Sequence, residues 1–409
     1  MEKIKTINRD RGQIYLGEKG LIALITLLSA FIPLSTDLYL PALPGMAKYF
    51  NVPVNQANLT LILFMAFFGL GMLIWGPLSD RYGRKPVLIA GLSLYIIASL
   101  SCIYAGTIYQ LIMCRIFQAL GGGAASAVAT AMVKDVYQGR QRETALAMVQ
   151  SMVVLSPAVA PVIGGIILEF TSWRGVFLLL AAIGALAMTG AVMMKETIEN
   201  CHMGTIGETI GRLGSVLKNP GFTSLLIVFS LSGIPFMAFL ASSSYIYIDG
   251  FRLSARTYGY YFTANAIGLL LGPILYLYLS KKIGRSSIII VCFLLVAISG
   301  LLICTFGSLK PWIFAISLLP STLAGSCIRP PGVNLMLEQQ QEDTGSVVSL
   351  IGCTGICTGS IGMMLISLNW NNLILALGTI TIIIPLICEA IWLNIFQKPF
   401  IKQIPDTAG

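Results

Sequence analysis

The sequence predicts an all-α membrane protein of twelve transmembrane helices, arranged as two pseudo-symmetric six-helix bundles. Three observations carry that reading. The 409 residues are 56% hydrophobic and 11% charged, with a mean hydropathy of +0.84, whereas a soluble domain carries about 25% charged residues. Apolar runs of roughly 20 residues, the length a helix needs to cross a hydrocarbon core about 30 Å thick, recur along the chain. Finally, the basic loop LSDRYGR (Leu78–Arg84) returns as LSKKIGR (Leu279–Arg285) at the corresponding place in the second half.

The length rule places spans near 21–43, 57–78, 87–105, 108–131, 144–168, 174–194, 222–245, 258–280, 287–306, 311–334, 346–368 and 371–395. The first run follows a polar, basic leader, lacks a small-residue cleavage site and contains Asp37, so it reads as a retained span and not a signal peptide. The longest internal polar stretch divides six spans from six, giving an N-terminal bundle 1–195, a linker 196–220 and a C-terminal bundle 221–409. Repeats of this kind place a substrate path between the halves.

The formal charge of +9 reflects sidedness and not a nucleic-acid partner. Lys3, Lys5, Arg9, Arg11 and Lys19 precede the first span; Arg81, Arg84, Lys85, Lys134, Arg140, Arg142, Lys195, Arg212, Lys218, Lys281, Lys282 and Arg285 fall in alternate loops. The intervening loops carry Lys48, Arg174, Arg252, Arg256 and Lys310. The positive-inside rule therefore puts both termini in the cytoplasm. Eight of the nine cysteines lie in apolar spans as small hydrophobes, and Cys201 with His202 has no second ligand nearby for a metal.

GPLSDRYGRKP (Gly76–Pro86) resembles the signature loop of the major facilitator superfamily. Gly76 and Pro77 would let the second helix end in close packing, Gly83 permits a tight turn, and Arg81, Arg84 and Lys85 hold the loop at the cytoplasmic face. Asp80 is expected to reach the N-terminus of the eleventh helix near Gly345–Ser346, where an anion contributes ~0.3–1 kcal/mol, and so to clasp the halves when the protein is shut toward the inside. Asp135 of VKDVY is expected to pair with the loop arginines. In the second copy Lys281 replaces the acid, so the symmetric clasp is missing.

CRIFQALGGG (Cys114–Gly123) resembles the fourth-span motif whose arginine, here Arg115, the superfamily associates with proton coupling. SPAVAPVIGG (Ser156–Gly165) resembles the fifth-span motif of drug:proton antiporters. In it Pro157 and Pro161 each remove a backbone donor and bend the helix, while Gly164 and Gly165 admit a close neighbour; plain kinked packing and gating are both open. With LYLPALP and YIYIDGF…YGYYFTAN, the pattern is similar to the Bcr/CflA, bicyclomycin-resistance type of exporter over nearly the whole chain. Where members often have Tyr and Gln in the second span, this chain has Phe64 and Met72, which makes the expected cavity more apolar. Gln118, Gln150 and Asn265 are further cavity candidates.

An ionisable group within a span costs ~2.5–3.5 kcal/mol and faces a cavity or a partner. Asp37 lies about six residues, ~9 Å, below the outer end of its span and Arg115 about seven, ~10 Å, so the two are at similar depth. Burial favours the neutral acid and a nearby arginine the carboxylate, so protonation from outside and substrate from inside would compete at Asp37, with Arg115 setting its proton affinity. The alternatives are that Asp37 snorkels outward or caps a break near Pro41, and that Arg115 is a structural anchor. Glu389 and Arg329 are read as interfacial residues near the cytoplasmic face, and Glu169 and Asp249 as loop residues. Tyr245, Tyr247, Tyr258, Tyr260 and Tyr261 are read as an aromatic belt, with substrate stacking as the alternative.

There is no GxxxxGK[ST] loop and no nucleophile–base–metal cluster, so neither ATP-driven export nor an enzyme is expected. The reading is a proton-driven exporter of drugs or other amphipathic small molecules in a bacterial inner membrane, without cofactor, and monomeric as the resemblance implies. A specific metabolite such as a siderophore or polyamine is the alternative cargo. A non-transporting sensor or scaffold is the alternative class.

Overall fold

The computed structural model describes residues 16–198, 211, 214–340, 344–396, 398–399 and 401. The described residues form helices and connecting turns, with eleven helices long and apolar enough to cross a membrane and a bent pair that supplies a twelfth span. Cys201, His202 and most of the expected linker lie outside the described residues.

The first span, α1, is broken. Its first helical parts are Gly17–Ser29 and Phe31–Asp37, and Lys19–Ser29 meets Phe31–Tyr49 at a bend of 44°. Pro33 offers no N–H to the turn before it, and Ser29 donates its hydroxyl to the Ile25 carbonyl at 2.8 Å, a back-bond that favours bending. A 3₁₀ turn, Leu40–Ala42, and a last segment, Leu43–Tyr49, complete the span. The N-terminal bundle continues with α2 (Val54–Tyr82), α3 (Arg84–Ile103), α4 (Ile108–Val136), α5 (Gly139–Phe170) and α6 (Trp173–Met193). In the C-terminal bundle α7 runs as Pro220–Leu231 and Ile234–Ser244 and ends in a π turn, Tyr245–Gly250. It is followed by α8 (Ala255–Leu279), α9 (Arg285–Phe306), α10 (Pro311–Gln339), α11 (Thr344–Ile366) and α12 (Leu373–Ile395).

Several helices outrun the apolar windows, because polar turns beyond the hydrocarbon still satisfy their own backbone. Pro77, Pro157 and Pro161 all sit inside continuous helices. Gly76 and Pro77 therefore do not end α2, which continues to Tyr82, and a Cβ at Gly76 would meet open space in place of a packed neighbour. The turn is made at Gly83, whose φ of +97° only glycine adopts freely.

The two bundles meet at the end opposite the Gly76–Pro86 loop. One buried cluster there joins Tyr39, Leu40 and Leu43 of α1 to Phe239, Tyr245 and Tyr247 of α7, Tyr258 and Phe262 of α8, and Met363 of α11. At the loop end the C-terminal bundle has a cluster of its own, with Phe222, Ile289, Met336 and Trp392, whose described members all come from that half. The molecule is thus sealed at one end.

Glycines make the seal. A Cβ on Gly165 of α5 would lie 2.6 Å from the Ala255 carbonyl oxygen, and one on Gly259 of α8 would lie 2.8 Å from the Val162 Cα. A Cβ on Gly164 would collide with the Leu38 carbonyl in the break of α1. Such small-residue contacts let backbones approach where lipid supplies no hydrophobic drive. Gly165→Val should hold this end apart. Spin labels at Thr171 and Leu309, in loops of opposite halves, are expected to report a longer distance by several ångströms in the variant; an unchanged distance would show that the seal does not depend on this contact.

Candidate functional site

The loop after α2 is organised around Arg84. Its Nη1 lies 2.6 Å from Asp80 and its Nε 2.8 Å from Asp135, while Nη1 also donates to Ser79 Oγ at 2.6 Å. Asp135 meets a loop arginine, as the sequence suggests. Among the described residues Asp80 has no partner in the other bundle: its ion partner is Arg84, one helical turn away, and its side chain is half exposed. The reason is geometric, since the halves are not packed together at this end. Arg81 lies out in solvent with its guanidinium 5.4 Å from the Tyr82 ring centre.

A carboxylate not anticipated from the sequence completes the loop. Glu196, just beyond α6, accepts from the backbone N–H of Arg84 at 2.9 Å and of Lys85 at 3.0 Å, and so caps the N-terminus of α3. A Cβ at Gly83 would lie 2.6 Å from its Oε2, so the glycine leaves the room that the cap occupies. Lys85 in turn caps the end of α6, donating to the carbonyls of Val192 at 2.6 Å and Met194 at 2.8 Å. The signal was present as an acid immediately after a span, opposite a helix start in the loop.

Within the membrane, Arg115 and Asp37 are both buried but do not pair. Arg115 donates through Nη1 to Gln118 Oε1 at 2.7 Å and to the Ser35 carbonyl at 3.2 Å. Its guanidinium lies 3.9 Å from the Phe64 ring centre, 4.6 Å from Tyr39 and 5.9 Å from Phe177. Nε and Nη2 have no hydrogen-bond partner, so ring faces take the place of an anion. The separation from Asp37 follows from helix geometry. Residues two apart on a helix point about 200° from each other, so if Ser35 and Tyr39 face α2, α3 and α4, Asp37 must face away. Ser35 Oγ indeed meets Tyr95 of α3 at 2.7 Å and Tyr39 meets Thr60 of α2 at 2.6 Å. Asp37 ends its helical segment, its Oδ1 accepts from Thr36 at 3.1 Å, and Tyr258 of α8 is within electrostatic reach. The span also continues past Asp37 to Tyr49.

The cavity candidates separate. Phe64 is fully buried against Arg115, and Gln118 is spent on Arg115 and Ser99, to which it donates at 2.8 Å. Met72 is half-buried and packs beside Phe64 and Phe68, whereas Phe64 covers Arg115 and does not line an open space as expected. Asn265 is buried, with Nδ2 donating to the Tyr261 carbonyl at 3.2 Å and Oδ1 unpaired. Gln150 is exposed, and because it lies eleven residues, close to three whole turns, before Pro161, it shares the face of α5 that meets α8. Pro157 and Pro161 leave α5 continuous; Thr263 of α8 donates its hydroxyl to the Ala158 carbonyl between them.

Residues expected in loops or in a belt belong to the sealed end. Asp249 pairs with Lys48 at 2.7 Å and Glu169 with Arg256 at 3.5 Å, both across the halves. Asn58 of α2 donates to the Ala241 carbonyl at 3.3 Å and to Ser367 at 2.7 Å. Tyr245, Tyr247 and Tyr258 are buried, so they are not an aromatic belt, whereas Tyr260 is exposed. Arg329 and Glu389 form no described ion pair with each other.

Residues 25–361 match the family model of the Major Facilitator Superfamily. The chain is 24% identical over 360 residues to the bicyclomycin resistance protein homolog of Haemophilus influenzae, covering 86% of this chain and 90% of that one. It is 31% identical to multidrug resistance protein MdtL of Escherichia coli over 53% of this chain and 55% of the relative. Among solved structures, a peptide transporter, POT, superposes with a TM-score of 0.75 at 15% identity, covering 94% of this chain and 96% of the other.

Removing the Glu196 cap should cost about 1–2 kcal/mol, because two backbone donors at the start of α3 lose a charged acceptor. Glu196→Ala is expected to lower the melting temperature of the detergent-solubilised protein by a few degrees, and Glu196→Gln by less; equal melting in all three would show that the cap adds no stability. With a family match across most of its length and the fold to go with it, this chain belongs to the Major Facilitator Superfamily and is a membrane transporter, not an enzyme.

Proposed function

We propose that this protein is a proton-coupled antiporter that exports drugs or related amphipathic small molecules from the cytoplasm across a bacterial inner membrane. The observation that carries the reading is the position of Asp37. It is a buried carboxylate at the break of α1, turned away from the N-terminal bundle, with Thr36 as its hydrogen-bond donor. A membrane-embedded acid of that kind is costly, and such groups serve as proton carriers in transporters. The drug-resistance names of the relatives support the cargo class.

The basic loops assign the Gly76–Pro86 end to the cytoplasm. On that assignment the sealed end is external and the structure is the inward-facing state, in which Asp80 is free to clasp the other half only after rocking. Arg115 then acts on Asp37 indirectly. It holds the Ser35 carbonyl, one end of the segment that carries the acid, so a shift of α1 in the exchange of states is felt at both groups. Substrate displaces the proton at Asp37 from the cytoplasmic side, and the external proton displaces substrate after the seal opens. No cofactor is required, and a single chain contains the whole path.

In inside-out vesicles with an acidic lumen, adding a lipophilic cation such as ethidium should dissipate part of the pH gradient. Asp37→Asn is expected to reduce that response at least about tenfold, while Arg115→Lys, which keeps the charge but not the planar fit against Phe64, should reduce it less. A full response from the Asp37→Asn protein would move proton coupling elsewhere, and no response from the wild-type chain to any cargo would favour a sensor or scaffold.

A further inference from the structure

The C-terminal half holds a second arginine within a span, Arg329, in the part of α10 nearer Gln339. The lipid-facing stripe of that helix is marked by exposed Trp312, Ile316 and Leu319, and Arg329 lies about 100° round from it. The neighbouring contacts say where it points. On one side, Ser326 donates its hydroxyl to the Gly268 carbonyl of α8 at 3.1 Å. On the other, a Cβ on Gly332 would lie 2.7 Å from the Phe229 ring of α7. Arg329 falls in the wedge between α7 and α8, beside Gly325, whose Cβ position meets open space. The Arg329 residue is exposed, with a contact to α8 on one side of it and to α7 on the other. That combination describes a group inside a vestibule.

Among the described residues the guanidinium has neither an acid within ion-pair distance nor a hydrogen-bond partner. Arg115 differs in kind, since it is sealed among rings and committed to Gln118. A charge left open within a span is costly to the fold alone, and the default reading is functional. The rest of the vestibule suits a bulky guest. Gly352 and Gly355 of α11 also face open space. Exposed Gly352 lies about 180° round α11 from exposed Ile361, and exposed Gln150 shares the face of α5 that meets α8.

We propose that Arg329 is an anion subsite of the transport cavity, and that among amphipathic substrates this protein favours those bearing a carboxylate or similar oxyanion apart from their ring system. The inference rests on the exporter reading and deepens it. A planar guanidinium takes a carboxylate through two parallel N–H donors, a charge-assisted contact about twice as strong as a neutral one. The anion meets Arg329 in the C-terminal half while the remainder of the molecule reaches the side of Asp37. A zwitterion would therefore bridge the two halves.

The test uses two dyes that differ in one group. Rhodamine 19 carries a free carboxylate and rhodamine 6G is its ethyl ester, with the same cationic ring system. Binding is read by fluorescence anisotropy on the full-length protein in phospholipid-free detergent. The wild-type chain should bind rhodamine 19 about tenfold more tightly than the ester. Arg329→Gln should abolish that preference by weakening rhodamine 19 alone, and Arg329→Lys should restore most of it. Equal affinity of the two dyes for the wild type, or an equal loss of both in Arg329→Gln, would overturn the subsite while leaving the exporter reading in place. Binding of neither dye would count against both. Loss of the carboxylate preference on adding phosphatidylglycerol would assign the subsite to a lipid headgroup and overturn its place in substrate recognition.

Discussion

The break in α1 is the constraint on which the rest depends. A continuous helix through Pro33 and Pro41 would keep every donor and acceptor paired within itself. Here the chain bends and tightens into a 3₁₀ turn, and neighbouring helices take up the strain. Arg115 binds the Ser35 carbonyl, and Gly164 brings α5 against the Leu38 carbonyl. The same segment presents Ser35 and Tyr39 to its own bundle and leaves Asp37 for the other side. One short stretch thus anchors the N-terminal half, packs the seal and carries the acid.

The architecture was legible because lipid imposes strong rules on sequence. A span must be apolar, long enough and internally bonded, so run length and loop charge give helix number and order. Gly83, Arg84 and Asp135 were legible as well, since a tight turn and a buried cation each leave few alternatives. Side-chain facing was not. The depths of Asp37 and Arg115 agree along the membrane normal, yet an angular difference of about 200° between neighbouring positions separates their surroundings. Phe64 shows the same limit, because an apolar residue in a span can line a cavity or cover a charge, and here it covers Arg115.

What sequence alone could not supply were contacts between distant segments. Glu196 looks like an ordinary acid after a span until α3 and α6 are placed together. Glu169 and Asp249 likewise acquire a role only when the two halves are brought edge to edge. Their exposed ion pairs contribute little stability each, about 0–1 kcal/mol, so the close glycine contacts and the shared apolar cluster hold the end shut. A weak polar rim around a small packed area is well suited to a contact that must open and re-form.

The mutual capping of α3 and α6 has a mechanical consequence. Because the carboxylate of Glu196 is tied to the backbone of Arg84 and Lys85, the chain leaves the first bundle from a fixed mooring point at the foot of α3. The end of α6 and the start of α3 are thereby held to one another when the bundles tilt.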